Sequence, residues 1–136
     1  MADKYILDTD ALVWYLEGNT RLGDQAKTTI SAAESEMVLP LIALAEAAFL
    51  FEKGRIGIPS ISNLLADVRN DERIEVQPLT VAIFERSLTS EGLRIPDLHD
   101  RFIVSTGLYL QDLGHTVSIL TKDENITHSG ILRVIW

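Results

Sequence analysis

Short apolar segments that alternate with helical stretches constrain the fold of this chain more than any other feature. Five segments are predicted strands, covering residues 4–7, 36–39, 73–77, 117–120 and 132–136. The segments between them place apolar residues at helical spacing. Short apolar strands separated by helices are typical of a parallel sheet that is covered on both faces. We therefore predict an α/β fold, a three-layer α/β/α sandwich around a central, mainly parallel sheet of about five short strands.

Helices are predicted from capping residues and from the glycines and prolines that end them. They cover residues 11–17, 23–34, the segment around Glu46 as far as Lys53, a segment after Ser60 or Ser62, and residues 81–89 and 98–113. The 136 residues contain no repeat, low-complexity tract or linker. Residues 1–136 are therefore predicted to form a single domain.

Composition excludes several classes of function. The chain has no cysteine, which rules out a disulfide scaffold, a thiolate metal site and a cysteine nucleophile. Neither a signal peptide nor an apolar run of membrane-spanning length is evident, so a cytoplasmic protein without a membrane partner is expected. The net charge of −8 argues against broad electrostatic attraction to nucleic acid. It suits carboxylates gathered around a divalent cation, or a basic protein partner.

Glu46 is the only charged residue between Leu41 and Phe51. Its ten apolar neighbours predict a helix that is covered on most of its faces. Burial disfavours the charged form of a carboxylate, so Glu46 needs a cation, a buried hydrogen-bond donor or a metal ion beside it. No lysine or arginine lies within one helical turn, and a pairing with Arg101 is the best explanation that needs no metal.

Three aspartates occupy places that complement Glu46. Asp8 and Asp123 follow predicted strands, and Asp100 lies in the first turn of the helix that begins near Pro96. Ligands of parallel sheets bind beyond the carboxyl ends of the strands. Taken singly, Asp8 is explained by a turn, Asp100 by the helix dipole, and Asp123 by a turn or a helix cap. As a set with Glu46 they predict one acidic cleft, which Mg²⁺ or Mn²⁺ would neutralise because both prefer oxygen ligands.

Other polar residues near these acids are weaker candidates. Asp10 either joins Asp8 in a D-x-D pair or only begins a helix, and Asp97 is either an accessory acid or a helix cap. Thr9 and Thr121 either orient waters or phosphate oxygens or satisfy backbone groups. No serine triad, dinucleotide fingerprint or phosphate-binding loop is present. The histidines show no ligand spacing and are not expected in the metal site: His99, His115 and His128.

Four segments of the chain form an ordered set, Ile6-Leu7-Asp8-Thr9, Leu44-Ala45-Glu46, Ile95-Pro96-Asp97-Leu98-His99-Asp100-Arg101-Phe102-Ile103-Val104 and Leu120-Thr121-Lys122-Asp123. In this order and spacing they resemble the motifs of PIN domains, and most closely those of the VapC ribonuclease toxins of toxin–antitoxin pairs. The likeness covers nearly the whole chain. One departure is the pair Leu98-His99, where the family often has proline and a small or aromatic residue.

The resemblance implies a three-layer fold and an endoribonuclease that depends on Mg²⁺ or Mn²⁺. The family's acidic ligands map onto Asp8, Glu46, Asp100 and Asp123, with Asp97 as an accessory. The resemblance also implies a homodimer and a cognate antitoxin that inserts a segment into the active-site groove. Single-stranded or looped RNA is the expected substrate, because unstacked bases can enter a cleft.

Phosphodiester hydrolysis needs a nucleophilic water beside an anionic phosphate and a stabilised leaving oxygen, and metal ions supply both. Under this hypothesis Asp8, Asp100 and Asp123 hold the principal ion, directly or through waters. Glu46 either holds a second ion or acts as the base toward the attacking water. The accessory candidates for contact with water or phosphate are Thr9, Thr121, Arg101 and Lys122. The two cations among them, Arg101 and Lys122, are equally well explained as solvated or structural charges.

Three alternatives remain open at the level of sequence. Asp8-Thr9-Asp10 after a strand also resembles the opening of a haloacid-dehalogenase phosphatase, with Asp8 as nucleophile and Asp10 as acid and base. No convincing lysine and late aspartate complete that set. A regulatory domain would bind Mg²⁺ without cleaving a substrate. A PIN nuclease of RNA processing would act without an antitoxin.

Overall fold

The computed structural model describes residues 3–136 and contains one five-stranded sheet. Its strands are β1 (Asp3–Leu7), β2 (Glu36–Pro40), β3 (Ile74–Gln77), β4 (Thr116–Leu120) and β5 (Arg133–Ile135). Their spatial order is β3-β2-β1-β4-β5, and every neighbouring pair is parallel. The predicted central sheet of five short parallel strands is confirmed.

Seven helices connect the strands and cover the sheet, which confirms the predicted α/β/α arrangement. None of the helices in residues 3–136 combines the length and the hydrophobicity needed to cross a bilayer. A single 3₁₀ turn, Gly92–Arg94, precedes the sixth helix. The helices are α1 (Thr9–Glu17), α2 (Asp24–Ser31), α3 (Leu41–Glu52), α4 (Ile61–Asn70), α5 (Val81–Ser87), α6 (Leu98–Asp112) and α7 (Glu124–Ser129).

The neighbouring inner strands β1 and β4 contribute to the centre of the hydrophobic core. Ile6 and Leu7 of β1 and Ile119 and Leu120 of β4 are completely buried. Burying an aliphatic side chain of this size stabilises a fold by about 1.5–3 kcal/mol. Packing in the core therefore fixes the ends of β1 and β4 and, with them, the start of the segments that follow.

The connections of the sheet diverge between β1 and β4. Strands β2 and β3 lie on one side of β1, whereas β4 and β5 lie on the other. At such a reversal of strand order the crossing connections separate and leave a crevice at the carboxyl ends. Leu7 and Leu120 are register partners at this edge, and Asp8 N–H donates to Leu120 O at 3.4 Å. The residues after both strands consequently face one crevice.

Helix α3 is less covered than its sequence predicts. Leu41 and Phe49 are 45% and 53% exposed, and Ala45 between them is exposed as well. Residues four apart share one face of a helix, so α3 turns an apolar face to solvent. The prediction that this helix is covered on most of its faces therefore fails for this one face, because an apolar composition does not distinguish a core helix from one with an exposed apolar face. Glu46 is half-buried.

Candidate active site

A cavity of about 320 Å³ lies at the carboxyl ends of β1 and β4 and is lined mainly by acids. The four principal residues predicted from the sequence all line it, although they come from four separate segments. Of the accessory candidates, Asp97, Thr9 and Lys122 line it too. The principal acids of the cavity are Asp8, Glu46, Asp100 and Asp123.

Three of the acids in the cavity are fixed in place as helix N-caps. Asp8 caps α1, Asp97 caps α6 and Asp123 caps α7. In each case Oδ1 accepts a hydrogen bond of 2.8–3.0 Å from the backbone N–H three residues later. The positive end of the helix dipole favours a carboxylate at this place. Capping and metal binding are compatible roles, since each cap uses only the Oδ1 atom.

Burial sets the charge state of Asp8. This side chain is 8% exposed, and burial raises its pKa from 3.8 to about 7. Hydrogen bonds from the Thr121 hydroxyl and the Ala11 N–H lower the pKa, whereas repulsion by Asp10 and Asp100 raises it. An anionic Asp8 is thus costly unless a cation lies nearby.

Burial also disfavours the charged forms of Asp100 and Asp10. Burial raises the pKa of Asp100 to about 6, and repulsion by the neighbouring acids adds to this effect. Burial also raises the pKa of Asp10, while the charge of Lys122 opposes the shift. Several carboxylates that resist ionisation in one cavity form an environment that a divalent cation would relieve.

The two threonine candidates lie in different places. Thr121 is completely buried beneath the cavity, and its hydroxyl accepts a hydrogen bond of 3.0 Å from Asp123 N–H. Together with its hydrogen bond to Asp8, this places Thr121 as a residue that orients two acids. Thr9 lines the cavity, and its buried hydroxyl has no hydrogen-bond partner among residues 3–136. Of the two threonine hydroxyls, that of Thr9 is therefore the one left to bind a water molecule.

Arg101 lies outside the set of residues that line the cavity. Its Nε donates to Ile95 O at 2.8 Å and so anchors the loop that leads into α6. Within the described part of the chain, no ion pair of 4.0 Å or less joins Arg101 to Glu46. The pairing that best explained Glu46 without a metal is not formed, and Arg101 serves the backbone instead.

Asp10, a weaker candidate in the sequence, and His99, which was not expected in the metal site, both line the cavity. Asp10 lies in the first turn of α1, and its D-x-D spacing from Asp8 was the only signal for it. His99 immediately precedes Asp100 and slightly lowers the pKa of that acid. No ligand spacing marks His99, so only the fold reveals its position.

The donors of the cavity fit a hard divalent cation in their chemistry, since the acids offer only oxygen. Within residues 3–136, no three His, Asp or Glu side chains are arranged to hold one ion as they stand. Mg²⁺ binds through one or two carboxylates and keeps several waters. The cavity therefore suits an ion that some of the acids contact through water.

The sequence of residues 5–129 matches the family model of the PIN domain. The chain belongs to the PIN-domain family. This membership confirms the resemblance found in the sequence and places the chain in a family of nucleases. A search of curated proteins found no match.

Solved structures share the PIN fold over nearly their whole length. VapBC2 from Rickettsia felis, bound to a DNA fragment of its promoter, has 16% identity and a TM-score of 0.66, with 96% of each chain covered. A toxin–antitoxin complex from Klebsiella pneumoniae has 16% identity and a TM-score of 0.66, with 94% of each chain covered. VapC20 of Mycobacterium tuberculosis, a toxin that cleaves the sarcin–ricin loop, has 15% identity and a TM-score of 0.66 over 97% of this chain and 99% of that one.

Proposed function

We propose that this PIN domain is an endoribonuclease that depends on Mg²⁺ or Mn²⁺ and acts in the cytoplasm as the toxin of a toxin–antitoxin pair. The observation that carries the proposal is the convergence of Asp8, Glu46, Asp100 and Asp123 in one cavity at the carboxyl ends of β1 and β4. The fold shared with VapC toxins, one of which cleaves the sarcin–ricin loop, supports RNA as the substrate.

In this proposal Asp8, Asp100 and Asp123 hold the principal ion, in part through waters. When bound, the ion lowers the pKa of a water molecule and offsets the charge on the phosphate and the leaving oxygen. Thr121 keeps Asp8 and Asp123 in position from below the cavity. The Thr9 hydroxyl, which lacks a partner among residues 3–136, donates to a water or a phosphate oxygen.

Glu46 is proposed to be the general base. It enters the cavity from α3, a different element from those that carry the three aspartates. It forms no ion pair within the described residues, so an Oε atom is available to accept a proton from the attacking water. If Glu46 instead holds a second ion, Glu46→Gln will lower the number of Mn²⁺ ions bound per chain, which calorimetry measures.

A cognate antitoxin and a second copy of the chain are the proposed protein partners. The complexes from Rickettsia felis and Klebsiella pneumoniae, which share the fold, support the antitoxin. Exposed apolar side chains on α3 and around α5 support a homodimer, because exposed apolar surface marks interaction sites. They are Leu41 and Phe49 of α3, Val81 and Phe84 of α5, and Leu88 directly after α5.

The proposal is tested by incubating the purified protein with single-stranded and hairpin RNAs in Mg²⁺, Mn²⁺ or EDTA. Cleavage with either metal and none with EDTA is expected. Cleavage that persists in EDTA would contradict metal dependence. Metal binding without cleavage of any RNA would instead favour a regulatory domain. A small adjacent gene for a DNA-binding antitoxin would distinguish a toxin from a nuclease of RNA processing.

A further inference from the structure

Lys122 is the only lysine or arginine among the residues that line the acidic cavity. Six carboxylates line the same cavity, and Asp123 is the next residue in the chain. Within residues 3–136, Lys122 nevertheless forms no ion pair of 4.0 Å or less. The charge of Lys122 acts on Asp10, but from a distance beyond that of an ion pair, and the closest defined partner of its ammonium group is an aromatic ring.

That ring belongs to Trp14 of α1. The Lys122 Nζ atom lies 4.7 Å from the centroid of the Trp14 ring, within the range of a cation–π contact. Trp14 is 9% exposed and packs edge-on against Trp136, with ring centroids 5.8 Å apart. The indole is therefore a rigid support, and it positions the ammonium group at the cavity without neutralising its charge.

From this geometry we propose, building on the proposed ribonuclease function, that Lys122 binds a backbone phosphate of the RNA and that Trp14 is its positioning residue. A polyanionic substrate must approach a cavity with a strong excess of negative charge. A cation that forms no ion pair with a carboxylate gives the RNA backbone a contact there that is independent of base sequence. A tryptophan face favours a lysine without forming the tight ion pair that would compete with phosphate.

The salt dependence of RNA binding distinguishes a phosphate contact from a structural role. Each phosphate contact contributes about 0.7 to the slope of log affinity against log salt for single-stranded nucleic acid. Lys122→Met should therefore lower that slope by about 0.7, and Lys122→Arg should retain it. Binding of a labelled single-stranded RNA is measured by fluorescence anisotropy in Ca²⁺, and a gel afterwards verifies that the RNA is intact.

The chain offers a matched control in Lys53, whose Nζ lies 5.2 Å from the Phe49 ring and outside the cavity. Lys53→Met should leave the slope unchanged. The Arg21 guanidinium lies 5.9 Å from the same Trp14 ring, so the comparison is made in an Arg21→Met background. There Trp14→Leu should weaken binding, and adding Lys122→Met to it should weaken binding no further, because both changes remove the same contact. If Trp14→Leu does not fold, Trp14→Phe serves instead, and its weaker ring should give a smaller effect of the same kind.

An unchanged slope in Lys122→Met, or wild-type protein that does not bind the RNA, would overturn the inference. An equal decrease of the slope in Lys53→Met would overturn the inference too, because the effect would then not be specific to the cation at the cavity. Cleavage in Mg²⁺ is measured in parallel on the wild type. A wild type that binds RNA but never cuts it refutes the nuclease proposal, while the slope still decides the role of Lys122.

Discussion

Asp8 is a buried acid whose pKa of about 7 lies well above its ordinary value of 3.8. Between these two values the folded chain holds a proton on Asp8 that the unfolded chain has released. The resulting stabilisation is fully present below about pH 4 and is lost as the pH rises through about 7. In the metal-free protein at pH 8, Asp8 therefore opposes folding.

Replacing Asp8 by asparagine should remove this penalty. Asn retains an Oδ1 atom for the cap of α1, so Asp8→Asn is expected to stabilise the metal-free protein at pH 8 by on the order of 1–3 kcal/mol. A much smaller stabilisation is expected at pH 4.5, close to the ordinary pKa of 3.8. Urea unfolding in EDTA at both pH values measures the difference, with the exposed Asp67→Asn of α4 as control. A difference that does not depend on pH would contradict the assigned cause.

Asp10 distinguishes the nuclease from a phosphatase with a covalent aspartate. It lines the cavity, but none of the proposed steps uses it. Asp10→Asn should therefore leave most of the RNA cleavage rate intact, as measured by initial rates in Mg²⁺. Loss of cleavage as complete as that of Asp8→Asn would show that Asp10 is part of the catalytic machinery.

Sequence alone located the four principal acids because each has a local signal, a strand end, a helix start or an isolated charge. The burial of Glu46 was overestimated, because the sequence of a helix with an exposed apolar face resembles that of a core helix. The contact between Lys122 and Trp14 joins residues that are far apart in the chain. No local pattern encodes such a contact, so it could not be predicted.

The N-caps link the stability of individual helices to the active site. The Asp97 carboxylate accepts a hydrogen bond from Asp100 N–H at the start of α6. Asp97→Ala should lower the free energy of unfolding by about 1 kcal/mol, whereas Asp97→Asn should lower it much less because Asn also caps well. Urea unfolding measures both variants.

Ser60 gives the matched control for this prediction. Its hydroxyl caps α4 through Asn63 N–H at 3.0 Å, and Ser60 does not line the cavity. Ser60→Ala should lower the free energy of unfolding by a similar amount and leave the rate of RNA cleavage unchanged. If Asp97→Asn cleaves RNA as fast as wild type, Asp97 is only a cap and not an accessory acid.

The strands were predicted nearly to the residue because buried parallel strands appear as continuous apolar runs. Helix α1 begins at Thr9, two residues before its predicted start, since Asp8 rather than a later residue is its cap. Helix α7 was not predicted, because Ile126 is its only buried residue and one residue shows no periodicity. The fold is therefore encoded locally in its strands, while its short helices depend on capping and tertiary contacts.

Across the whole molecule, a metal ion bound in the acidic cavity would be linked to folding. An ion that binds only the folded chain stabilises it by about 2.7 kcal/mol at one hundred times its dissociation constant. Saturating Mg²⁺ or Mn²⁺ should therefore raise the Tm at pH 8, and raise it less at pH 5, where Asp8 and Asp100 hold protons. Differential scanning calorimetry measures both shifts. An equal shift in Asp8→Asn would place the ion elsewhere.

The net charge of −8 opposes the binding of RNA to an acidic cavity. We propose that a bound metal ion and Lys122 together offset this repulsion. Charge and composition reveal neither the position of the cavity nor the free lysine, because both depend on how the sheet orders its strands. The strand order β3-β2-β1-β4-β5 brings the ends of β1 and β4 together. The proposed function thus depends on topology as much as on the acids themselves.

The most direct measurement of the central claim is the initial rate of RNA cleavage in Mg²⁺ for three variants of equal folded fraction. Asp8→Asn and Glu46→Gln should each lower the rate by about 100-fold or more, because one disturbs the proposed metal site and the other removes the proposed base. Asp10→Asn should remain close to wild type. Cleavage by Asp8→Asn or Glu46→Gln at the wild-type rate would show that this cavity is not the active site.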